Sequence, residues 1–199
     1  TYEIPPTLAA RAAPEGARRP RGGPSVADAL AGSFARPHAM LNLEIDGKPV
    51  QVPSGSTVMD AAVKLGIYVP HFCYHRKLSI AANCRMCLVE VEKQPKLQPA
   101  CQWQIADGMV VQTESPKVLE ARRAVMEYLL LNHPVDCPIC DQAGECKLQD
   151  YWFEHDKGPS RLVGDKVHKP KAVEFGPFIT FDAERCILCT RCVRFSKEI

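Results

Sequence analysis

The ten cysteines of this chain are the feature that most limits how it can fold. None precedes residue 73, and they form three groups: Cys73, Cys84, Cys87 and Cys101, then Cys137, Cys140 and Cys146, and finally Cys186, Cys189 and Cys192. An even number also fits disulfides in a secreted protein, but the sequence shows no signal peptide with an apolar core and a small-residue cleavage site. The spacing C-x2-C recurs in every group, and closely spaced thiols in a reducing compartment typically bind metals. The sequence therefore predicts a metal-binding protein.

Composition and charge exclude two classes of function. The 199 residues are 46% hydrophobic and 24% charged, which is typical of a globular protein. Residues 1–39 hold five arginines and three acids, so residues 40–199 hold 20 of the 25 basic and 20 of the 23 acidic side chains. That balance lacks the basic field that nucleic-acid binding requires. No apolar run approaches the ~18–20 residues of a membrane-spanning helix, so we expect no span.

The N-terminal part is predicted to be a tail followed by a small α+β domain. Residues 1–39 are rich in Ala, Pro, Arg and Gly, a composition typical of a disordered or non-native extension. From residue 40 onward the alternation of apolar and polar residues indicates strands. The expected elements are a β-hairpin over 41–52 turning at Asp46-Gly47, a helix over 58–65 capped from within 54–56, and strands over 88–92 and 109–111.

The C-terminal part contains few residues that could build a hydrophobic core. Ser115-Pro116 predicts the start of a helix that ends before His133-Pro134. Residues 133–170 are rich in turns and charges, so we expect a metal to take the place of a core there. A strand over 176–182 is expected to lead into the last three cysteines.

The first cysteine group has the spacing C-x10-C-x2-C-x13-C, from Cys73 to Cys101. Three ligands on one long loop and a fourth after an intervening strand is the general plan of plant-type [2Fe–2S] ferredoxins, although their first gap is four residues. Small loop residues such as Ala81 and Ala82 would let backbone amides approach inorganic sulfides. A zinc site with four cysteine ligands is the alternative, although such sites usually consist of two compact pairs.

The second group supplies three thiolates, from Cys137, Cys140 and Cys146, where a four-iron cluster needs four ligands. No fourth cysteine lies nearby, whereas His133 lies at the end of the preceding predicted helix, and we expect it to be the missing ligand. A neutral ligand in place of a thiolate removes one negative charge and should favour reduction, as histidine does in Rieske centres. The remaining histidines of residues 40–199 are expected to be ordinary side chains: His71, His75, His155 and His168.

The third group, Cys186-x2-Cys189-x2-Cys192, is the compact half of a [4Fe–4S] site. In two-cluster bacterial ferredoxins this run continues with x3-Cys-Pro, but the matching residues here are Ser196 and Lys197. Because all ten cysteines are then assigned, the fourth ligand is expected outside this sequence. We expect the segment to be the start of a truncated [4Fe–4S] site.

Five contiguous segments occur in the order of a known family: VPHFCYH at 69–75, NCRMCLVEVE at 83–92, PAC at 99–101, NHPVDCPICDQAGECKLQD at 132–150 and RCILCTRCVRF at 185–195. With them, residues 40–199 resemble the N-terminal part of the large iron–sulfur subunit of respiratory complex I, which is NADH:quinone oxidoreductase. The family continues into a large molybdopterin-oxidoreductase-like domain that is absent from this sequence.

The resemblance implies three cofactors. These are a [2Fe–2S] cluster on Cys73, Cys84, Cys87 and Cys101, a [4Fe–4S] cluster on His133, Cys137, Cys140 and Cys146, and a second, incomplete [4Fe–4S] site on Cys186, Cys189 and Cys192, which in the family takes a distant fourth cysteine. The predicted fold class is α+β, with a ferredoxin-like β-grasp domain followed by small cluster-stabilised segments with helices. The expected divisions are a tail over 1–39, the [2Fe–2S] domain over 40–115, a helix plus [4Fe–4S] domain over 116–170, and a truncated [4Fe–4S] segment over 171–199.

The function that the resemblance implies is electron conduction within a proton-translocating enzyme. Flavin on a neighbouring subunit takes hydride from NADH, and single electrons then pass through the clusters towards quinone. The chain is expected to perform no catalysis alone and, since it lacks a nucleotide-binding glycine fingerprint, to bind neither NADH nor quinone directly. The implied partners are other peripheral-arm subunits, including the flavin- and NADH-binding one, with no nucleic acid and no membrane insertion. The implied location is peripheral, on the cytoplasmic face of a bacterial inner membrane or the matrix side in mitochondria.

Two alternatives remain open on the sequence. One is the iron–sulfur diaphorase subunit of an NAD-linked hydrogenase or formate dehydrogenase, which shares the first two cluster sites. Ser196 argues against those relatives that carry the two-cluster ferredoxin run. The other alternative is a redox-silent structural zinc protein, which iron and sulfide analysis would separate from a cluster protein.

Overall fold

The computed structural model describes residues 39–199, so the tail expected over 1–39 lies outside the described residues except for its last position. Seven strands run within this range: β1 Met40–Ile45, β2 Lys48–Pro53, β3 Leu88–Val91, β4 Gln98–Pro99, β5 Met109–Gln112, β6 Val173–Glu174 and β7 Thr180–Phe181. Four α-helices accompany them: α1 Val58–Lys64, α2 Pro116–Leu131, α3 Lys147–His155 and α4 Arg191–Glu198.

The first five strands form one mixed sheet in the order β2-β1-β5-β3-β4. The pair of β1 and β5 is parallel, whereas the other neighbours are antiparallel. The β1–β2 hairpin turns at Asp46 and Gly47, whose φ angles of 51° and 76° are the left-handed values that a two-residue hairpin turn requires. Strands and helix thus follow the predicted order, and the predicted α+β fold is confirmed.

Helix α1 packs its apolar face on this sheet, and its start is fixed by a capping box. The Thr57 hydroxyl accepts a hydrogen bond from the Asp60 amide at 3.2 Å, and the Asp60 carboxylate accepts one from the Thr57 amide at 2.8 Å. The predicted cap within 54–56 is therefore wrong, because the reciprocal pair of side chains lies one residue later. The core beneath α1 includes Ile45, Val58 and Val111, each with no exposed surface.

Helix α2 begins and ends where the sequence predicted. The Ser115 hydroxyl caps the amide of Val118 at 3.4 Å, Pro116 occupies the first turn, and Asn132 closes the helix before His133. Its buried face consists of Val118, Arg122 and Met126. This face packs against β3 and α3, so α2 joins the sheet domain to the segment that follows it.

Helix α3 was not predicted, and it contributes to a second apolar cluster. Leu148 and Tyr151 on this helix are 6% and 2% exposed. They pack with Met126 of α2 and with two side chains from the first domain, Phe72 and Met86. The expectation that residues 133–170 lack core-forming residues is therefore wrong in part. The apolar side chains of this segment gain burial from partners distant in sequence, which local composition does not reveal.

Residues 156–190, between α3 and α4, contain little regular structure. The strand expected over 176–182 is reduced to β7, which pairs with β6. The Phe175 amide donates to the Ile179 carbonyl at 2.7 Å and Gly176 has a φ of 77°, so residues 176–178 form the turn between β6 and β7 rather than part of a strand. Among residues 39–199, no helix has the length and apolar character needed to cross a membrane.

Candidate iron–sulfur centres

The sheet and its loops bring the first cysteine group together. Cys73, Cys87 and Cys101 are buried, Cys84 is half-buried, and all four are free thiols. Cys87 directly precedes β3 and Cys101 follows β4. The ladder between these strands continues one step further, because the Ala100 amide donates to the Cys87 carbonyl at 2.9 Å. Pairing of the two strands therefore places Cys87 beside Cys101.

The long loop that carries the first three cysteines is held in an unusual backbone conformation. Ala82 and Arg85 have φ angles of 49° and 58°, in a region that residues with a Cβ rarely adopt. The Cys73 amide points at the sulfur of Cys84, with an N···S distance of 3.4 Å. Amide donors aimed at cysteine sulfur are a means by which iron–sulfur proteins tune their clusters.

The four thiols influence one another's ionisation strongly. Hydrogen bonds from Cys101 and Cys84 lower the pKa of Cys73, and a hydrogen bond from Cys101 lowers the pKa of Cys87. The same contacts raise the pKa of Cys101 and, through Cys73, that of Cys84. Such a set cannot be fully deprotonated without a cationic centre among the sulfurs, because like charges at short range oppose ionisation. The chemistry of these donors therefore fits an iron cluster.

The second group surrounds a cavity of about 370 Å³. His133, Cys137, Cys140 and Cys146 all line it, together with apolar side chains that include Leu148 and Trp152. A short 3-10 turn over Cys137–Ile139 separates the first two cysteines of the group, and Cys146 is the residue at the start of α3. All four residues that the sequence proposed as ligands thus face one space.

The electrostatics of this cavity suit a neutral histidine. Burial lowers the pKa of His133, and the positive charge of Lys166 lowers it further. The Lys166 ammonium donates to the carbonyls of Leu130 and His133, at 2.8 Å in each case, and so caps the end of α2. Neutral imidazole is the form that binds metals.

The third group lies on a tight loop ahead of α4. Leu188 and Thr190 have φ angles of 56° and 61°, and the Leu188 amide points at the Cys186 sulfur at 3.4 Å. Cys189 is half-buried and Cys192 is exposed. The Ser196 hydroxyl donates to the Cys192 carbonyl at 3.0 Å, which is a bond within the helix. The Ser196 hydroxyl is therefore hydrogen-bonded to the backbone of its own helix.

The sequence did not predict that the three cysteine groups contact one apolar cluster. A cysteine from each group, namely Cys84, Cys146 and Cys189, packs against the second apolar cluster. Phe72 and Met86 of that cluster adjoin Cys73 and Cys87 in the sequence, which is the one signal that could have pointed to it.

Within residues 39–199, no group of three or more His, Cys, Asp and Glu side chains is arranged to hold a single metal ion. The ligands of a cluster are shared among several iron atoms of one inorganic core, so the relevant geometry is a common space with several donors around it. The second group has this geometry in its cavity.

Three family models match consecutive parts of the chain. Residues 38–116 match the 2Fe-2S iron-sulfur cluster binding domain. Residues 122–161 match the NADH-ubiquinone oxidoreductase-G iron-sulfur binding region. Residues 176–199 match the ferredoxin-like domain of NADH-quinone oxidoreductase subunit 3.

Curated relatives match over most of the chain. The NADH-quinone oxidoreductase G subunit of Rickettsia conorii is 51% identical over 160 residues, which is 80% of this chain and 24% of the relative. The mitochondrial NADH-ubiquinone oxidoreductase 78 kDa subunit of Neurospora crassa is 51% identical over 176 residues, or 86% of this chain and 23% of the relative. The mitochondrial NADH dehydrogenase [ubiquinone] iron-sulfur protein 1 of Solanum tuberosum is 46% identical over 188 residues, which is 92% of this chain and 24% of the relative. The chain thus spans about a quarter of the length of these relatives.

A solved structure shares the fold. The crystal structure of an NAD+-reducing [NiFe]-hydrogenase in the H2-reduced state matches with a TM-score of 0.72 at 30% sequence identity. The match covers 80% of this chain and 67% of the hydrogenase chain.

Proposed function

Because the chain belongs to the family of the large iron–sulfur subunit of NADH-quinone oxidoreductase, we propose that it conducts electrons from NADH-reduced flavin towards quinone. It carries single electrons and is not catalytic alone. The flavin- and NADH-binding subunit is its proposed electron donor, and other peripheral-arm subunits are its proposed neighbours. The proposed location is peripheral, on the cytoplasmic or matrix side of the respiratory membrane.

The observation that best supports this proposal is the contact of all three cysteine groups with one apolar cluster. Cys84, Cys146 and Cys189 each pack against the second apolar cluster, which includes the fully buried side chains of Met86 and Met126. Electron transfer between clusters is favoured by short separations and little solvent reorganisation, and packing of all three groups on one apolar cluster favours both. A protein that used these cysteines only for structure would not need to bring the groups to a common centre.

The proposed ligand sets follow the three groups. A [2Fe–2S] cluster is assigned to Cys73, Cys84, Cys87 and Cys101, a [4Fe–4S] cluster to His133, Cys137, Cys140 and Cys146, and part of a second [4Fe–4S] site to Cys186, Cys189 and Cys192. The bound clusters supply one-electron redox chemistry. The chain supplies the thiolates, the amide donors aimed at Cys84 and Cys186, and the apolar surroundings that limit water.

The domain divisions at 40–115, 116–170 and 171–199 remain part of this proposal. Regular structure changes near each division: the sheet ends at Gln112, α2 begins at Pro116, and the short β6–β7 hairpin begins at Val173. Each division would hold one cluster site.

The test is iron loading and reduction of the anaerobically prepared 199-residue chain. We expect about six irons per chain, about two at the first site and about four at the second, because the third group has three thiols. Dithionite should give a two-iron and a four-iron EPR signal. NADH should reduce both clusters only when the flavin-binding subunit is added. A colourless protein that binds zinc in the same sites would refute the proposal.

A hydrogenase-type diaphorase is the second candidate, and the fold match to the NAD+-reducing [NiFe]-hydrogenase favours it. Sequence identity favours the complex I subunit over the diaphorase, since it is 30% with the hydrogenase chain and 51% with the relative from Rickettsia conorii. Deleting the gene and assaying membranes decides the question. Loss of NADH-dependent quinone reduction supports complex I, whereas loss of hydrogen- or formate-dependent NAD reduction supports the diaphorase.

A further inference from the structure

Arg194 connects the segment that carries the third cysteine group to the loop that carries the first. The residue lies on α4, and it is only 8% exposed. Its guanidinium donates hydrogen bonds to the carbonyls of Cys73 and Ser79, 121 and 115 positions earlier in the chain, and to that of Cys189 at 3.4 Å. One cation therefore contacts the backbone of a proposed ligand from each of two cluster sites.

Other contacts also hold the same two segments together. The Asn83 side-chain amide donates to the Leu188 carbonyl at 3.1 Å, and the Glu198 carboxylate accepts from the Ser79 amide at 2.9 Å. Arg191 donates to the carbonyl of Tyr74 at 2.6 Å. We call this set of contacts between residues 73–83 and 188–198 the seam. The seam does not depend on Arg194 alone.

No carboxylate forms an ion pair with Arg194 in the described part of the chain, although the pKa of Glu198, one turn further along α4, is lowered by its hydrogen bonds with Ser79 and then by the charge of Arg194. None of the ion pairs among residues 39–199 includes Arg194. Its Nε atom is 3.3 Å from the Thr190 hydroxyl, and its other bonds go to carbonyls. Burying a guanidinium without a negative partner is costly. The sulfurs that the first and third groups would present to iron, on either side of the seam, would be a further source of negative charge.

On the basis of the proposed function, we propose that Arg194 is a shared counter-cation of the first and third cluster sites and favours reduction of the [2Fe–2S] cluster. Reduction adds one electron to the cluster, forms or breaks no bond in the protein and needs no proton. A fixed buried cation stabilises the more negative, reduced state more than the oxidised one, because a charge inside the protein is weakly screened. Arg194 is thus a positioning residue that acts on the cluster through its charge and through the Cys73 backbone.

The test is an EPR-monitored redox titration of the two-iron signal in the iron-loaded 199-residue protein, with dithionite as reductant. The variants are Arg194→Gln, which removes the charge, Arg194→Lys, which retains it, and Lys197→Gln, which removes an exposed charge from the same helix. We expect Arg194→Gln to shift the reduction equilibrium about tenfold towards the oxidised cluster, which is 59 mV for a one-electron couple. Arg194→Lys and Lys197→Gln should stay within about twofold of the unaltered protein.

A second control separates the charge from the docking of α4. Asn83→Ala removes the seam contact with Leu188 without changing any charge, so the equilibrium should again stay within about twofold. An equal shift in Asn83→Ala and Arg194→Gln would show that docking matters and the charge does not, which would overturn the proposal. An unshifted Arg194→Gln would overturn it as well.

If Arg194→Gln does not assemble the two-iron cluster, the Arg194→Lys variant tests the proposal instead. A tenfold shift in the lysine variant, which keeps the charge, would refute the counter-cation role, and an equilibrium near that of the unaltered protein would support it. Absence of any two-iron signal in the unaltered protein would instead refute the proposed function, and this inference with it.

Discussion

Residues 40–115 and residues 116–199 are held together in different ways. The first region has a five-stranded sheet over a core cluster of 17 buried residues. The second region contributes three of the five buried residues in the second apolar cluster, and the other two, Phe72 and Met86, belong to the first region. The first region therefore has an apolar core of its own, whereas the second buries its apolar side chains partly against its neighbour.

The cysteines therefore have a different structural role in each region. Cys87 and Cys101 are part of the core cluster of the first region, where they also fill space. Cys137 and Cys140 line a cavity and are only half-buried, so their contribution to folding comes mainly from the iron they are proposed to bind. A cofactor is an addition to the first region and takes the place of a core in the second.

Removal of iron should produce the largest contrast between the regions. After anaerobic chelation we expect amide hydrogen exchange in β1, β3 and β5 to change less than about tenfold. Exchange in α3 should accelerate more than a hundredfold, because metal binding supplies folding free energy where the core is small. The measurement is hydrogen exchange followed by mass spectrometry on loaded and chelated protein.

The control for chelation is reloading with iron and sulfide, which should restore protection in α3. Equal loss of protection in both regions would break the comparison, since it would mean that the sheet domain also requires its cluster to fold.

Replacing a single cysteine of the first region should remove one cluster and leave the other. Cys87→Ser should abolish the two-iron EPR signal, because the site then has three thiolates, while the four-iron signal from the His133 site persists. The matched variant is Cys140→Ser, which should remove the four-iron signal and leave the two-iron one. Loss of both signals in either variant would contradict independent sites.

Sequence patterns predicted the first region well because its signals are local. Alternating apolar residues and the Asp46-Gly47 turn act over a few positions, and they gave β1, β2, β3 and β5 close to the observed bounds. The ends of α2 were also predictable, since Ser115 and Pro134 act at the helix termini. The ligand candidates followed from the spacing of the cysteines, from the lack of a fourth cysteine near the second group, and from the family resemblance.

The second region was harder to predict because its packing is between distant parts of the chain. Tyr151 is buried by its contact with Phe72, with ring centroids 5.0 Å apart across 79 positions of sequence, and no local pattern encodes this pairing. The seam around Arg194 is likewise formed from residues far apart. The sequence therefore identifies which residues could bind iron but not how the three groups are placed relative to one another.

Substitutions in the two apolar clusters should compare the two regions through their free energies of unfolding. Ile45→Ala should lower the free energy of unfolding of the chelated first region by about 2–5 kcal/mol, because Ile45 is fully buried and its side chain would leave a cavity. The exposed control, Val63→Ala, should change it by less than about 0.5 kcal/mol. Urea denaturation followed by circular dichroism measures both.

Met126→Ala tests the second region in the same way. Met126 is also fully buried, but it lies in the second apolar cluster. Its loss should destabilise the docking of α2 against α3 and leave the unfolding of the chelated first region within about 0.5 kcal/mol of the unaltered protein. A loss as large as that of Ile45→Ala in the first region would show that the two clusters form one cooperative unit.

The smallest effect concerns the one neutral ligand proposed among the clusters. His133→Cys would give the second site four thiolates, the same donor set as the first, and the added negative charge opposes reduction. We expect four-iron occupancy to be retained and the reduction equilibrium to move about tenfold towards the oxidised cluster, or about 59 mV, in an EPR-monitored titration. His168→Cys is the control, since His168 is exposed and pairs with Glu184 at 2.9 Å, so an added thiol there should leave the equilibrium unchanged. An unchanged equilibrium in His133→Cys with full iron occupancy would show that residue 133 is not a ligand. The fourth donor would then have to come from elsewhere, and the cavity that these side chains line would have a different role.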